Sequence, residues 1–238
     1  MLPSDDKHRP SVTLRVGSVV YGDRAREWEH WMLKSVKRVH PNIGYLWIAP
    51  DPQEMSFAFG NLADRAMNDY SKAELWGCFQ HSEDPGPVWV LDADTILLRP
   101  LRWNPASSEV IMAAAPGGDA KYLEFLRKAE MQIAHDTVIN SGVLWLNADL
   151  RKLWRSFFSI LAPIVSPTPY PLGECVWNAI WQYLHLQGKV ELLPQEYNQI
   201  ISEHGPYQGT IFHLAGAPEH FKARLMESYF RYFTGEQT

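Results

Sequence analysis

The run Val88-Trp89-Val90-Leu91 constrains this chain more than any other segment. Four consecutive apolar residues read as a strand covered on both faces, because a strand with one wet face alternates. Such a strand needs a layer on each side of its sheet, which is the α/β arrangement. The rest of the pattern agrees. Strands are expected at Val12–Val20, Ile43–Ala49, Val88–Leu98, Val110–Ala115, Val143–Asn147, Val190–Leu193 and Thr210–Leu214. Helices are expected from Asp23, as cap, to Val39, over Asn61–Gln80 with a break near Tyr70-Ser71, and over Asp119–Glu130. Further helices are expected from about Asp149, over Glu174–Leu186 and over Pro218–Phe233. The alternation of strand and helix predicts a mostly parallel central sheet flanked by helices. Ser82–Pro87 reads as a turn, and Ala162–Gly173, with four prolines, as a loop. Residues 1–10 read as a flexible tail and 11–238 as one domain, since no repeat or linker divides the sequence.

Composition removes several classes. With 46% hydrophobic and 21% charged residues among 238, the chain is not a disordered one. Lys and Arg total 22 against 27 Asp and Glu, a net charge of −5, and no basic stripe stands out, so no nucleic-acid partner is expected. No apolar stretch approaches the length of a membrane span, and none is expected. Cys78 and Cys175 lie far apart, with no CxxC, which argues against a disulfide framework or a structural zinc site. The sequence has no Asn-x-Ser/Thr acceptor and opens on the polar MLPSDDKHRP, so a cytoplasmic location is expected. Aromatic residues reach 13%; most belong in a core, but the excess also suits a site that packs bases or sugar rings. The chain lacks Gly-x-Gly-x-x-Gly, a Walker loop, Gly-x-Ser-x-Gly and His-Glu-x-x-His, which withdraws support from hydride transfer, P-loop chemistry and zinc proteolysis.

The apolar strand runs into Asp92-Ala93-Asp94. Ligands of open α/β sheets bind at the carboxyl ends of strands. Side chains alternate along a strand, so Asp92 and Asp94 are expected on one side, with the small Ala93 leaving room between them. Two converging carboxylates repel unless a cation, proton or basic group intervenes. A hard divalent ion takes oxygen ligands and shares its remaining positions with phosphates, the need that a nucleotide-diphosphate substrate creates. The plain alternative is a loop with two solvated acids. Asn140 and Ser141, ahead of Gly142 and a buried strand, offer an amide and a hydroxyl to sugar hydroxyls, or simply form a turn. His213, on a late apolar strand, is either a satisfied core residue or the third ligand that the acids lack. Imidazole suits transition metals better than Mg²⁺, so Asp92, Asp94 and His213 together favour Mn²⁺, with Mg²⁺ the second choice. Gly216 lets the backbone pass close to a phosphate.

In combination these segments resemble the GT-A glycosyltransferases (the Rossmann-like nucleotide-diphospho-sugar transferase fold), closest to the glycogenin-like, family 8 group of retaining enzymes. The resemblance runs in order through YSKAELWGCF, VWVLDADTILL, INSGVLWLN, LLPQEYNQI and FHLAG. It implies a UDP-sugar donor held through Mn²⁺ by Asp92, Asp94 and His213, and an acceptor hydroxyl on a saccharide, protein or small molecule. It implies that Val20 and Tyr21 face the base and ribose. Lys72, Asp92, Ala93, Asn140, Ser141 and Gly216 would contact diphosphate or sugar. Two departures stand out. The family's Lys three residues after the His-x-x-Gly glycine is Glu219 here, with Lys222 the nearest substitute. The family's Asp-Gln pair is Gly173-Glu174 here, so Glu174 takes the Gln place near the reacting carbon, with Asn140 beside it as the other catalytic candidate; a helix N-terminal charge is the plain reading of Glu174. Two other classes compete: a sugar nucleotidyltransferase, for which VVYGDRAREW is a weak phosphate loop, and a non-catalytic nucleotide-sugar binding module. The acceptor side falls to Ala162–Gly173 and Asn198–Gly209.

Overall fold

The computed structural model describes residues 14–80, 86–200 and 209–236. The expected tail, the start of the first strand, most of the Ser82–Pro87 turn and most of Asn198–Gly209 lie outside them. A six-stranded sheet has the order β2 (Gly44–Ile48), β1 (Arg15–Val19), β3 (Val88–Leu91), β6 (Ile139–Leu146), β5 (Met112–Pro116), β7 (Val190–Leu192). β1 is parallel to β2 and β3, and β5 to β7; β6 alone runs against both its neighbours. A three-stranded sheet, β4 (Thr95–Leu97), β9 (Ile211–His213) and β8 (Gln199–Ile200), sits beside it.

The four residues of β3 are all buried and alternate between two cores. Val88 and Val90 join the core formed with α2 (Pro52–Phe59), α3 (Ala63–Phe79), α4 (Lys121–Lys128), α5 (Arg151–Val165) and α6 (Leu172–His185). Trp89 and Leu91 join the core formed with α1 (Asp23–Val39), the small sheet and α7 (Glu219–Thr234). Large side chains dominate both: Trp154, Trp177 and Trp181 are fully buried on the first side, Phe212 and Phe230 on the second. Each such burial contributes roughly 1.5–3 kcal/mol or more. The buried Ser35 of α1 accepts a hydrogen bond from Leu97 N at 2.9 Å, tying α1 to β4.

Several expectations are corrected. Gly22 precedes α1 as its cap, and Asp23 is the first helical residue with no capping bond. α3 runs unbroken past Tyr70-Ser71, because Tyr70, Ser71, Lys72 and Ala73 are all buried against other elements. α2 is not among the helices expected from the sequence, where Pro50-Asp51-Pro52 marks the end of the strand at Ile43–Ala49. Asp51 instead caps α2, accepting from Gln53 N at 2.7 Å, with Pro52 in the first turn, where its missing N–H costs nothing. The proline-rich stretch is a loop only over 166–171. Pro163 lies in the last turn of α5, where the buried Leu161, Ala162 and Val165 hold the helix. β6 begins at Ile139, so Asn140 and Ser141 are strand residues rather than a turn.

Candidate active site

The antiparallel β6 is what assembles the site. Leu91 at the end of β3 pairs with Val143, so the start of β6 lies beside the residues that follow β3. Asp92 N donates to Gly142 O at 2.8 Å. Asn178 of α6 fixes the strand start, accepting from Ile139 N at 2.9 Å and donating to Ile139 O at 3.0 Å. The two aspartates do converge, but not by strand alternation as expected. β3 ends at Leu91, and Thr95 N and Oγ1 both donate to Asp92 O, at 3.1 and 2.8 Å. The resulting turn swings Asp94 back toward Asp92. β4 then pairs with β9, placing Thr95 opposite His213, while Leu214 N donates to Asp94 O at 3.0 Å.

His213 Nε2 lies 3.2 Å from Asp94 Oδ1 and 3.8 Å from Asp92 Oδ2. One ligand atom from each of the three residues falls within 4.8 Å of the others, a spacing that a single ion can bridge. Among the described residues this is the one such group. Asp92 is 29% exposed against 9% and 3% for Asp94 and His213, so the approach is from the Asp92 side. The imidazole is oriented by a relay of amides. Asn140 Oδ1 accepts from Gly142 N and from Asn198 Nδ2, both at 2.9 Å. That turns Asn198 Oδ1 toward His213 Nδ1 at 2.9 Å, so Nδ1 carries the proton and Nε2 faces the acids. The ring is seated directly on β6: a Cβ at Gly142 would lie 2.1 Å from His213 Cε1. Two carboxylates and an imidazole with a fixed tautomer are a donor set that fits Mn²⁺.

A second group is built by helices. Lys72 Nζ lies 2.8 Å from Asp92 Oδ1 and 3.2 Å from Asp69 Oδ1, and donates to Ser141 Oγ at 3.0 Å and Ser141 O at 3.2 Å. Ser141 Oγ lies 2.8 Å from Glu174 Oε1 and 3.1 Å from Asp69 Oδ1, and Ser141 N donates to Glu174 Oε2 at 3.1 Å. Trp177 Nε1 donates to Asp69 O at 3.1 Å, pinning α3 to α6.

Burial works against the charge on Lys72, but Asp92, Asp69 and Glu174 outweigh it and raise its pKa. Burial and the neighbouring Asp69 push Glu174 up to about 7, against Lys72 and Ser141. Burial would raise Asp94, yet His213 and Lys222 hold it well below the usual range. Burial would lower His213, yet Asp94 and Asp92 raise it. A bound ion competes with that proton, because only neutral imidazole ligates.

The expected residues fall into three positions. Tyr21, Lys72, Asp92, Ala93, Asp94 and Glu174 line a cavity of about 690 Å³, within the range of small-molecule sites. Asn140, Ser141 and His213 stand behind them through the bonds above. Val20 is 3% exposed and is not among the lining residues; its neighbours Val19 and Tyr21 are. Gly216 lies in the turn after β9, outside the lining. Lys222 reaches Asp94 Oδ2 at 2.5 Å, with its ammonium 4.9 Å from the Trp28 ring, while Glu219 pairs with Arg24 at 3.1 Å in the open. Asp69 and Trp28 have no site role in the sequence reading, and Asn198, placed there on the acceptor side, stands behind the imidazole instead. The i, i+3 spacing of Asp69 and Lys72 on one helix face was the available signal for the first.

No family model and no curated protein matches the chain. Solved structures do. The galactosyltransferase LgtC, in complex with donor and acceptor sugar analogues, superposes with a TM-score of 0.65 at 15% identity over 94% of this chain and 97% of that one. A glycosyltransferase involved in glycosylation of the major capsid of PBCV-1 gives 0.60 at 12% identity, over 91% and 99%. Mouse xyloside xylosyltransferase 1 gives 0.54 at 10% identity, over 87% and 99%. The chain has the GT-A glycosyltransferase fold, as the resemblance implied, with a mostly parallel central sheet between helices.

Proposed function

We propose that this protein is a glycosyltransferase that moves a sugar from a nucleotide-diphosphate donor, a UDP-sugar, to an acceptor hydroxyl with retention. The observation that carries this reading is the convergence of Asp92, Asp94 and His213 at the cavity, within 4.8 Å, beside the helix-built group around Lys72. LgtC, solved with donor and acceptor sugar analogues, shares the fold that places them. Asp92, Asp94 and His213 would hold Mn²⁺, which when bound supplies Lewis-acid stabilisation of the charge that develops on a departing diphosphate. The remaining work belongs to the chain's own groups. Lys72, behind Asp92, balances the carboxylates so that an anionic donor can enter. Lys222, paired with Asp94, offers a second ammonium to the diphosphate. Asn140 has its Oδ1 committed to Gly142 and Asn198, and through Asn198 it orients the His213 imidazole from behind the lining. Glu174, pushed up to about 7, holds or releases a proton beside Ser141 near neutral pH. Tyr21 and Trp28 supply ring faces for the base. The connection from β1 to α1 is only Val20, Tyr21 and Gly22, too short for the phosphate-wrapping loop that a nucleotidyltransferase needs.

A thermal-shift series tests this reading. UDP-sugars at about 100 times Kd with Mn²⁺ should raise Tm by roughly 5–10 °C, with little shift from either component alone. An equal shift without the ion, or none with any nucleotide-sugar, would overturn it.

A further inference from the structure

Asp69 stands out because it occupies space that belongs to another residue. A Cβ built on Gly173 would lie 2.0 Å from Asp69 Oδ2, 2.3 Å from its Cγ and 2.4 Å from its Cβ. The carboxylate from α3 therefore fills the place that a side chain at the start of α6 would fill. Glu174 is the next residue, and both Asp69 and Glu174 line the cavity. In the sequence pattern that this chain resembles, an acid stands immediately before the Glu174 position; here that residue is Gly, and the acid arrives from a different helix.

The two oxygens of Asp69 are used differently. Oδ1 meets Lys72 at 3.2 Å and Ser141 Oγ at 3.1 Å. Oδ2 takes no hydrogen bond among the described residues, so its acceptor sites are open to a ligand. The side chain is 19% exposed, and its backbone carbonyl is held by Trp177 at 3.1 Å, so the group is both reachable and fixed. Its place in the site is also defined. His213 and Asp94 lie on one side of Asp92, and Lys72, then Asp69, on the other. A ligand that had its diphosphate at the ion group and ran past Lys72 would bring its sugar to Asp69. A carboxylate oxygen with open acceptor sites binds hydroxyl donors, and such charge-assisted bonds are strong and directional.

We propose that Asp69 recognises the hydroxyls of the donor sugar, as a carboxylate relocated from position 173 to α3. The proposal rests on the glycosyltransferase reading and identifies which residue distinguishes a nucleotide-sugar from the bare nucleotide.

The test measures binding of UDP, UDP-glucose and UDP-galactose to the full chain with Mn²⁺. Wild type should bind at least one UDP-hexose more tightly than UDP. Asp69→Asn, which keeps the volume, should weaken that hexose donor by about tenfold and leave UDP within about twofold, the loss expected for one charge-assisted hydrogen bond. Asp69→Ala should lose as much or more, and Asp69→Ala with Gly173→Asp should recover most of it, because the second change returns a carboxylate to the same space. Equal weakening of UDP and UDP-hexose, or an unaltered hexose affinity in Asp69→Asn, would show that Asp69 only balances Lys72 and would overturn this proposal alone. A failure of the double variant to improve on Asp69→Ala would also overturn it. A wild type that binds neither UDP nor UDP-hexose would remove the glycosyltransferase reading and this proposal with it.

Discussion

On one side of Asp92 the polar groups are held by two helices, and on the other by two sheets. Asp69, Lys72 and Glu174 project from α3 and α6 and meet the backbone and hydroxyl of Ser141. His213 comes from β9 and Asp94 from the turn just before β4, its partner strand, with Asn198 and Asn140 behind the imidazole. On the helical side three acids, Asp92, Asp69 and Glu174, share one buried ammonium, Lys72, and burial with the excess of negative charge pushes Glu174 up to about 7. On the sheet side Asp94 lines the cavity and is paired with His213 behind it and with Lys222. The difference teaches that charge in this site serves two ends: on the helical side Lys72 ties α3 and α6 to β6 while that group also faces the cavity, and on the sheet side Asp94 and His213 are kept for an ion.

The largest effect expected falls on the sheet side. Asp94→Asn keeps the shape and removes one ion ligand, so sugar transfer should drop by roughly 10³-fold, the several kcal/mol that a bound ion supplies. Asp94 is also held ionised by His213 and Lys222, so the melting temperature should fall as well, by several degrees. A variant with near wild-type turnover in a transfer assay would erase the distinction between the two sides. On the helical side the same kind of change should appear as lost stability. Lys72→Met leaves Asp92, Asp69 and Glu174 without their shared counter-charge and should cost about 3 kcal/mol in urea unfolding. If Asp94→Asn destabilises as much, the contrast fails.

The smallest effect sharpens the contrast through pH. Glu174 is pushed up to about 7 from its ordinary 4.5, with burial the main cause and Asp69 next. Between those values the folded chain binds more protons than the unfolded one. Unfolding free energy from this group therefore falls as pH rises through the window and levels off above about 7. Glu174→Gln should flatten that slope between pH 5 and 8 in matched urea titrations. An unchanged slope would place the proton elsewhere.

The sequence made the sheet side more legible than the helical side. An apolar strand ending in two acids announces a ligand end, and a metal's need for a third donor points to His213. The mechanism of convergence was not legible, because a turn closed by Thr95, rather than alternation, brings Asp94 round. Asp69 and Lys72 share a helix face, but nothing local says that Gly173, far along the chain, empties itself to admit Asp69. Periodicity found the long elements and missed α2, a helix of eight residues with only Met55 and Phe59 buried. Proline content overruled a good apolar stripe at Pro163, where packing prevailed over a local rule.

The seating of His213 on Gly142 has a consequence for lineage. Even alanine at 142 would intrude on the ring, with the added carbon 2.1 Å from Cε1. A descendant of this chain that keeps the imidazole must also keep the glycine, and one that abandons the glycine has already vacated the imidazole's seat. In any newly found cousin, a side chain at position 142 therefore foretells that no imidazole occupies this seat.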